Sequence, residues 1–348
     1  RAAQAGSREE LGEYLSCFAE SVCPPWAVLA ITFTNKAARE IKERLAKALD
    51  DPTAADAVWA GTFHSVCMRI LRSHIGLLGY KPGFSIYDTD DQKKAIARCM
   101  KDMNLDDKKF PPKSMLNMIS RAKDRLMTPK DMQEENTADY LWSVAAKVYA
   151  RYQEELVQAN ALDFDDIIML TVRLFEENPD ILEYYQHKFK YVCVDEYQDT
   201  NYAQFRLTEM LAGHWRNIMV VGDDDQSIYK FRGATIENIL NFDRTYPDAK
   251  VIKLEQNYRS TKNILDAANA VIGHNFGRKG KTLWTAGDTG SKITVTVANN
   301  ANDEARLIVN KVMELARTGR HYGDFAILYR MNAQAQTLET AFAKSGLP

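Results

Sequence analysis

The chain has 348 residues, with 45% hydrophobic and 26% charged side chains and a formal net charge of −2. This length exceeds the size at which single cores usually divide, so we expect two or three domains of an ordinary globular protein. No apolar run is long enough to cross a bilayer, no secretory leader is visible, and the five scattered cysteines do not pair as metal ligands. We therefore expect reduced thiols, a cytoplasmic protein and no membrane partner, and any nucleic-acid binding must come from local basic faces.

Two strand–turn–helix patterns follow residue 26. In the first, the apolar residues 27–31 precede Thr34 and Asn35, and an apolar stripe with helical spacing continues to Leu49. Thr34 or Asn35 is a good helix N-cap, and a polar turn at a helix N-terminus can also hold a DNA phosphate. An ordinary capped turn is the simpler explanation of this pattern on its own.

The second pattern runs from residues 58–60 through Gly61-Thr62-Phe63-His64-Ser65 into a helix. It places hydroxyl groups and a histidine at the carboxyl end of a strand, where the ligands of open α/β sheets collect. Taken alone, His64 indicates a capping or packing residue.

Residues 88–180 have a different character, because helical stripes replace the strands. We interpret this stretch as a helical insertion within an α/β domain. The acidic turn 162–166 starts a helix, where carboxylates suit the helix dipole. Part of the stretch is basic and could contact a nucleic-acid backbone, although such runs are usually solvated faces. These basic residues are Lys108, Lys109, Lys113, Arg121, Lys123, Arg125 and Lys130.

An apolar run at 191–194 ends abruptly in Asp195 and Glu196. A short run of this kind indicates a buried, parallel strand, which places both carboxylates at the ligand edge of the sheet. Two adjacent acids there suit two tasks, since one can hold Mg²⁺ through water while the other polarises an attacking water. A strand that ends in a solvated acidic turn is the alternative.

A further strand is predicted at 218–221, and Gln226, Tyr229 and Phe231 follow it. The amide of Gln226 can hydrogen-bond a water or a phosphate oxygen. Tyr229 and Phe231 are spaced so that both rings can face one way. Paired aromatic rings beside basic residues offer stacking for unpaired bases, worth about 1–3 kcal/mol per base. Packing of both rings in the core is the alternative.

The remaining residues predict a second α/β unit. Arg259 follows a predicted strand, and its planar guanidinium suits a γ-phosphate, while Tyr258 beside it can stack on a nucleotide base. Ser260 or Thr261 is the predicted cap of the next helix. The pattern then alternates between strands and helices, with strands at 251–254, 293–297 and 325–329 and helices at about 303–317 and 333–344.

One expected motif is missing. A nucleotide-hydrolysing α/β domain normally carries a Gly-x-x-x-x-Gly-Lys-Ser/Thr loop that holds the phosphates. The nearest match, Gly280-Lys281-Thr282, has Asn275 where the earlier glycine is required, and a predicted helix precedes it instead of a strand. We reject this match and expect the loop upstream of residue 27, although residues 1–24 do not supply it. Because the first residue is Arg1 and not Met, we expect a fragment.

Six segments in this order resemble successive motifs of the UvrD/PcrA/Rep superfamily 1 DNA helicases. They are ITFTNKAA at 31–38, GTFHS at 61–65, LDFDD at 162–166, DEYQDT at 195–200, VGDDDQSIY at 221–229 and QNYRS at 256–260. The resemblance covers residues 27–348 and is very specific, because all six segments match in order. The phosphate-loop motif and the later motifs of this family are absent from the chain.

The resemblance implies roles for four residues at the site of hydrolysis. Asp195 binds Mg²⁺ through water and Glu196 activates the attacking water. Gln226 senses the γ-phosphate and links it to the DNA groove. Arg259 contacts the γ-phosphate.

The resemblance implies further contacts to nucleotide and DNA. Tyr258 stacks on adenine and Arg232 lies near the nucleotide cleft. The residues that line the path of single-stranded DNA are Phe33, Thr34, Asn35, Thr62, His64, Tyr229 and Phe231. The family usually has Trp where this chain has Phe231, a difference that could weaken base stacking.

The resemblance also implies an architecture of the α/β class. It consists of a RecA-like parallel-sheet motor domain with a helical insertion, plus the first part of a second RecA-like domain. The first motor domain comprises residues 1–87 and 186–257, the insertion 88–185, and the second motor domain 258–348. We expect the acids at 195–196, Gln226 and Arg259 to converge on one cleft.

The implied function is an ATP-dependent 3′→5′ DNA helicase or translocase, with ATP and Mg²⁺ as cofactors. Its partners are single-stranded DNA, junctions of single- and double-stranded DNA, and other proteins of DNA repair or replication. Because the phosphate loop is missing, we expect the 348 residues alone to hydrolyse ATP poorly or not at all. Two alternatives stay open: a non-catalytic nucleic-acid-binding module that lacks the phosphate loop, and the helicase part of a helicase-nuclease.

Overall fold

The computed structural model describes residues 23–135, 139–230 and 233–348. Backbone contacts divide the chain into two compact units. The first extends to Ile252 and includes Phe276–Gly280, and the second comprises Lys253–Asn275 and Lys281–Pro348. Asp195 and Glu196 therefore lie in the first unit, whereas Arg259 lies in the second.

A four-stranded parallel sheet forms the centre of the first unit. The strands of the described residues are β1 (Val28–Thr32), β2 (Trp59–Thr62), β3 (Ser85–Ile86), β4 (Ala161–Leu162), β5 (Tyr191–Val194) and β6 (Ile218–Val220). The sheet has the order β2-β1-β5-β6, and β3 pairs with β4 in a separate two-stranded sheet. Ile31 pairs with Val194, and Val194 pairs with Val220. The segments that follow these strands consequently meet at one edge of the sheet.

Helices connect the strands and build the insertion. Several begin at side-chain caps, and Asp88, Asp163 and Asn201 each form a capping box. None of the helices in the described ranges combines the length and the apolar run that a bilayer span requires. They are α1 (Asn35–Leu49), α2 (Pro52–Ala57), α3 (Phe63–His74), α4 (Thr89–Asp102), α5 (Pro112–Asp124), α6 (Pro129–Glu135), α7 (Tyr140–Gln158), α8 (Phe164–Glu177), α9 (Pro179–Lys188), α10 (Tyr202–Ala212), α11 (Glu237–Leu240), α12 (Phe242–Thr245), α13 (Lys262–Ile272), α14 (Ala301–Arg317) and α15 (Ala333–Ser345).

The core of the first unit lies between the sheet and its covering helices. Leu29 of β1 and Val192 of β5 are buried with Ile70 of α3, Leu170 of α8 and Leu207 of α10. Four of the five residues of β1 are buried, which is the pattern expected when both faces of a parallel sheet are covered. The predicted α/β class with a parallel sheet is confirmed.

The helical insertion has its own core. Ile96 of α4, Ile119 of α5 and Tyr152 of α7 are almost fully buried together. Helix α8 packs in the core of the sheet instead. The two cores are linked where side chains of α5 and α7 bond Asp163 and Asp166 at the start of α8.

Beyond residue 250 the predicted helices form, but the predicted strands do not. The helices expected at about 303–317 and 333–344 are α14 and α15. The segments 251–254, 293–297 and 325–329 have no hydrogen-bonded strand partner among the described residues. Their apolar side chains are largely exposed, with Val297 at 90% and Leu328 at 94%. An apolar run shows that a segment can form a strand, but a strand also needs a neighbour with which to pair.

Candidate nucleotide and nucleic-acid site

Candidate residues from separate parts of the sequence meet at the carboxyl edge of the parallel sheet. Three follow β1 and β2, one follows β5 and two follow β6. The first unit thus brings proposed nucleotide contacts and proposed DNA contacts to one hollow. This cavity has a volume of about 830 Å³, and the six candidates that line it are Phe33, Thr34, His64, Glu196, Gln226 and Tyr229.

Asp195 is held in the sheet, and Glu196 turns away from it. The N–H of Asp195 donates to the Ile31 carbonyl at 2.9 Å, and its Oδ2 lies 3.5 Å from the Thr32 hydroxyl. Glu196 has a φ of +52°, in the left-handed region, which costs a non-glycine residue roughly 1–2 kcal/mol. This turn brings the exposed Glu196 to the cavity, whereas the half-buried Asp195 does not line it.

A continuous chain of hydrogen bonds joins Glu196 to Gln226. Gln198 Nε2 donates to Glu196 Oε2 at 2.7 Å, and Gln198 Oε1 accepts from the Asp223 N–H at 2.9 Å. Gln226 Nε2 in turn donates to Asp223 Oδ2 at 2.7 Å. Only 1% of Gln198 is exposed, so its amide is fixed by packing as well as by these bonds. If the segment that carries Gln226 moves, the side chain of Gln198 can therefore transmit this movement to Glu196.

The close approach of these two segments depends on Gly222. A Cβ at this position would lie 2.6 Å from Gln198 Oε1 and 3.2 Å from the Tyr197 nitrogen. That nitrogen donates to the Val221 carbonyl at 2.9 Å. The absence of a side chain thus lets the segment after β6 lie directly against the turn after β5.

The three acids after Gly222 are close enough to one another to hold a cation. Asp225 Oδ1 accepts from Arg278 Nε at 2.6 Å, and Asp224 Oδ2 accepts from the Lys279 N–H at 2.7 Å. These two carboxylates thus already have protein partners, and we assign no metal to this segment.

Two threonine hydroxyls start helices at the same edge. Thr34 Oγ1 accepts from the Ala37 N–H at 3.1 Å, and Thr62 Oγ1 accepts from the Ser65 N–H at 3.2 Å. Each hydroxyl keeps its own proton, which it can donate to a phosphate oxygen. The predicted cap at Thr34 is confirmed. Asn35 is instead the first residue of α1, and neither Asn35 nor Thr62 lines the cavity.

His64 packs against the acidic turn and lines the cavity as well. Its ring lies edge-on to that of Phe164, with 5.9 Å between the centroids. Burial lowers the pKa of His64 below its usual value, although a hydrogen bond with the Phe164 backbone opposes the shift. His64 is therefore neutral at pH 7, and a neutral imidazole can donate one hydrogen bond and accept another. The packing role predicted for His64 alone is compatible with a contact to a ligand.

Lys123 is not a solvated or backbone-binding cation, contrary to the interpretation of the basic run. Its Nζ lies 2.7 Å from Asp163 Oδ2 and 2.7 Å from Asp166 Oδ1, and its side chain is fully buried. Burial by itself would lower the pKa of Lys123, but the two carboxylates outweigh it and raise the pKa well above its usual value. Both Lys123 and Arg121 border the cavity, but the charge of Lys123 is already paired with the two carboxylates.

The sequence interpretation missed several residues of the cavity, and three of them form hydrogen bonds that bear on the site. Gln198 and the pair Asp124–Asn201 line it, and Asp124 Oδ1 accepts from Asn201 Nδ2 at 2.5 Å. Burial raises the pKa of Asp124 to about 6, although the bond from Asn201 opposes this shift. The spacing of Asn201 and Gln204 is that of a capping box, so the position of Asn201 at a helix start could have been found.

The four remaining candidates lie in the second unit or outside the described residues. Tyr258 and Arg259 belong to the second unit, where both are exposed and the Arg259 N–H donates to Asn257 Oδ1 at 2.9 Å. The convergence of Arg259 with the two carboxylates stays a prediction. Phe231 and Arg232 lie outside the described residues.

The oxygen atoms at the end of β5 suit Mg²⁺. Asp195 offers a half-buried carboxylate beside the hydroxyl of Thr32. Magnesium prefers oxygen ligands, keeps several waters, and is usually held by one or two carboxylates together with substrate phosphates. The residues present therefore fit this ion.

Two family models match the sequence. Residues 12–247 match the UvrD/REP helicase N-terminal domain, and residues 252–348 match the UvrD-like helicase C-terminal domain. The ATP-dependent DNA helicase PcrA of Staphylococcus aureus is 52% identical over 324 residues, which are 93% of this chain and 44% of that protein. The protein of the same name from Staphylococcus epidermidis is 51% identical over 324 residues, with the same coverage of both chains. The chain thus spans less than half the length of these curated relatives, and it belongs to the UvrD/REP helicase family.

Proposed function

We propose that this chain is part of the motor of an ATP-dependent DNA helicase or translocase, which moves 3′→5′ along single-stranded DNA. The hydrogen bonds that join Glu196 to Gln226 carry the proposal. Both residues line the same cavity as Tyr229 and His64. Such an arrangement makes the hydrolysis of ATP sensitive to the strand bound beside it.

In this proposal ATP is the substrate of the first unit. Glu196 accepts the proton of the attacking water, and Gln226 contacts the γ-phosphate. Asp195 holds Mg²⁺ through water. When bound, this ion neutralises the charge of the phosphates. The left-handed turn at Glu196 supports the division of roles, because it separates the two carboxylates although they are adjacent in sequence.

The other nucleotide contacts come from Tyr258, Arg259 and Arg232. Arg259 pairs with the γ-phosphate, Tyr258 stacks on adenine, and Arg232 lies near the nucleotide cleft. Tyr258 is exposed over 86% of its surface, so its ring is accessible to a nucleotide base.

Single-stranded DNA, including strands at junctions with duplex, is the proposed polymer. The threonines donate to phosphates and the aromatic rings stack on bases, as at other sequence-neutral sites. Proteins of DNA repair or replication are the proposed partners. The proposed DNA contacts are Phe33, Thr34, Asn35, Thr62, His64, Tyr229 and Phe231.

We propose that residues 1–87 and 186–257 form the first motor domain, 88–185 the helical insertion, and 258–348 the start of the second motor domain. The separate core of the insertion supports the first division. The change of compact unit after Ile252 supports the second.

The test uses the full-length gene product and two variants of it, each with one glutamate replaced by glutamine. We expect ATP hydrolysis that single-stranded DNA stimulates strongly, and we expect Glu196→Gln to abolish turnover while binding of a fluorescent ATP analogue persists. Glu176→Gln, on an exposed part of α8, is the matched control and should hydrolyse normally. Unchanged turnover in Glu196→Gln would refute its role as the base. The polarity is tested with partial duplexes that carry either a 3′ or a 5′ single-stranded tail. We expect unwinding of the 3′-tailed duplex and not of the 5′-tailed duplex.

A second candidate is a non-catalytic nucleic-acid-binding module. The absence of a Gly-x-x-x-x-Gly-Lys-Ser/Thr loop from these residues favours it. Sequencing the gene upstream of Arg1 separates the candidates, because an intact loop there favours the enzyme and a start codon without one favours the module. In either case the purified 348-residue chain should hydrolyse ATP poorly or not at all, and robust DNA-stimulated turnover by it would overturn that expectation.

A further inference from the structure

Two neighbouring residues at the end of α5 contact two different parts of the first unit. Lys123 is fully buried between Asp163 and Asp166, with both distances 2.7 Å. Asp124, the next residue, accepts a hydrogen bond from Asn201 at 2.5 Å. The end of this insertion helix is thus anchored by one side chain, and the following side chain reaches towards the carboxylate segment.

Asn201 occupies a junction between two segments of the proposed motor. It starts α10 directly after the acidic segment 195–200, and its Oδ1 accepts from the Gln204 N–H at 2.9 Å. The carbonyl of Thr200, one residue earlier, accepts from the Thr235 N–H at 2.9 Å and from Asn238 Nδ2 at 3.1 Å. Asp124 is therefore bonded to the point at which the carboxylate segment meets the chain that follows Tyr229.

The second oxygen of Asp124 faces Gly233. A Cβ on Gly233 would lie 2.7 Å from Asp124 Oδ2, and the φ of +84° at this residue favours glycine independently. The N–H of Gly233 donates to the Lys230 carbonyl at 3.1 Å, and the N–H of Ala234 donates to the Tyr229 carbonyl at 3.3 Å. Gly233 consequently belongs to the turn that carries Tyr229, and this turn lies against Asp124.

We propose that Asp124 is a positioning residue that couples DNA in the cavity to the hydrolysis of ATP, an inference that rests on the proposed function. A base that binds at Tyr229 shifts the turn that contains Gly233. Because Lys123 anchors the end of α5, the backbone of Asp124 stays in place while its side chain is displaced. This displacement alters the hydrogen bond between Asp124 and Asn201. From there it reaches the segment that carries Glu196.

The chemistry of Asp124 agrees with this role. Burial raises its pKa only to about 6, so the carboxylate is ionised at pH 7 and above and is a strong acceptor for the Asn201 amide. The residue touches neither of the proposed reacting atoms. Its effect should therefore appear in the coupling between two ligands and not in the chemistry itself.

The experiment measures coupling in the full-length gene product. For Asp124→Ala we expect the DNA-stimulated rate of hydrolysis to fall about tenfold, as the loss of one hydrogen bond to a charged group allows, and to fall by a clearly larger factor than the basal rate. A non-hydrolysable ATP analogue should also change the affinity for single-stranded DNA less in the variant, because coupling is reciprocal. Asp124→Asn keeps an oxygen that accepts from Asn201 and should retain most of the stimulation.

Two further variants control the result. Asp107→Ala removes an exposed acid of the same insertion and should leave both rates unchanged. Gly233→Ala crowds the same contact from the opposite side and should uncouple DNA from hydrolysis as Asp124→Ala does. Thermal unfolding of each variant shows that the protein is folded at the assay temperature.

The outcomes separate the possible explanations. Equal losses of basal and stimulated rates in Asp124→Ala would show that the residue only supports the fold, which overturns the proposal. Unchanged stimulation in both Asp124→Ala and Gly233→Ala would also overturn it. If the unmodified protein shows no stimulation by DNA, the proposed function fails, and the coupling role fails with it.

Discussion

Gln198 Nε2 lies 2.7 Å from Glu196 Oε2, and the glutamine is buried while the glutamate is exposed. A buried amide therefore fixes the direction of an otherwise free carboxylate. The other end of the same amide accepts from the Asp223 N–H at 2.9 Å. The orientation of the proposed base consequently depends on the backbone of the segment that leads to Gln226.

Gln198→Glu should impair turnover most at high pH. The new side chain has the same shape, and while it is protonated it can still donate to Glu196. At high pH it ionises, so the donor is lost and a second negative charge lies against the proposed base. We expect kcat at pH 8 to fall by about 10- to 100-fold, with little change in the affinity for ATP, when rates are measured between pH 6 and pH 9.

The control for this prediction is Gln158→Glu, which introduces the same charge at the exposed end of α7. It should behave like the unmodified protein at every pH. A Gln198→Glu variant with normal kcat at pH 8 would show that Glu196 does not need the amide.

Gly222→Ala should weaken both folding and hydrolysis. The added Cβ would lie 2.6 Å from Gln198 Oε1 and 3.2 Å from a backbone nitrogen, so the two segments must separate. Overpacking of this kind costs about 1–3 kcal/mol, which urea unfolding of the 348-residue chain can measure. Gly76→Ala is the matched control, because nothing lies within 4 Å of its Cβ. Equal stability of the two variants would exclude a steric role for Gly222.

Lys123→Met should be strongly destabilising. Removing the cation leaves Asp163 and Asp166 as uncompensated buried carboxylates, and breaking a buried ion pair in this way costs about 3–5 kcal/mol. Lys130→Met removes the exposed pair with Glu134, where Nζ and Oε1 are 3.9 Å apart, and an exposed pair contributes only about 0–1 kcal/mol. Urea unfolding should separate the two variants. Equal free energies of unfolding would show that the buried cation is not needed.

Asp165 should make stability fall as the pH rises. Burial, with the negative charges of Asp163 and Asp124, raises the pKa of Asp165 to about 7 from 3.8. Between these two values the folded state binds a proton that the unfolded state has lost, so this contribution to stability is largest at the acidic end, declines as the pH rises towards 7, and levels off above it. The free energy of unfolding, measured from pH 4.5 to pH 8, should show this slope.

Asp165→Asn tests the assignment, because it keeps the shape of the side chain and removes the titration. The slope should become smaller in this variant. Asp90→Asn, at the exposed start of α4, should leave the slope unchanged. An identical pH profile for Asp165→Asn and the unmodified protein would contradict the assignment.

Thr62→Val should weaken both α3 and the binding of single-stranded DNA. Loss of the cap to the Ser65 N–H costs about 1 kcal/mol, and loss of the hydroxyl proton removes one proposed phosphate contact. Thr62→Ser should restore both properties. Asp139→Ala removes the cap of α7, so it should lower stability similarly without changing the affinity for DNA. Fluorescence anisotropy with a labelled oligonucleotide measures this affinity, and equal affinities for all three variants would exclude the contact.

The strand–turn–helix units were predictable because their information is local. The apolar run before Thr34 and the apolar stripe after it already define β1 and α1, and Asp195 follows an equally clear strand. The segment 293–297 shows the limit of the same reasoning. Its apolar pattern is real, but its pairing depends on a neighbour far away in the chain, and no such pairing forms among the described residues.

The site was predictable where a residue type by itself suggests chemistry. Glu196 and Gln226 were found for this reason, and both line the cavity. Gln198 was missed because its importance comes from burial beside a left-handed turn. Lys123 was assigned to a basic surface because its partners, Asp163 and Asp166, come from a different helix, and spacing along the sequence does not reveal them.

The threonine caps bear on the kind of polymer that the proposed DNA contacts would recognise. Thr34 and Thr62 each accept one hydrogen bond from a backbone amide at the start of a helix, and each still has a hydroxyl proton that it can donate to a ligand. Protons attract anions and discriminate poorly among the four nucleobases. A polymer bound through these hydroxyl protons would be recognised by its repeating phosphate charges. Each nucleotide along the strand would then bind equally well, whatever its base.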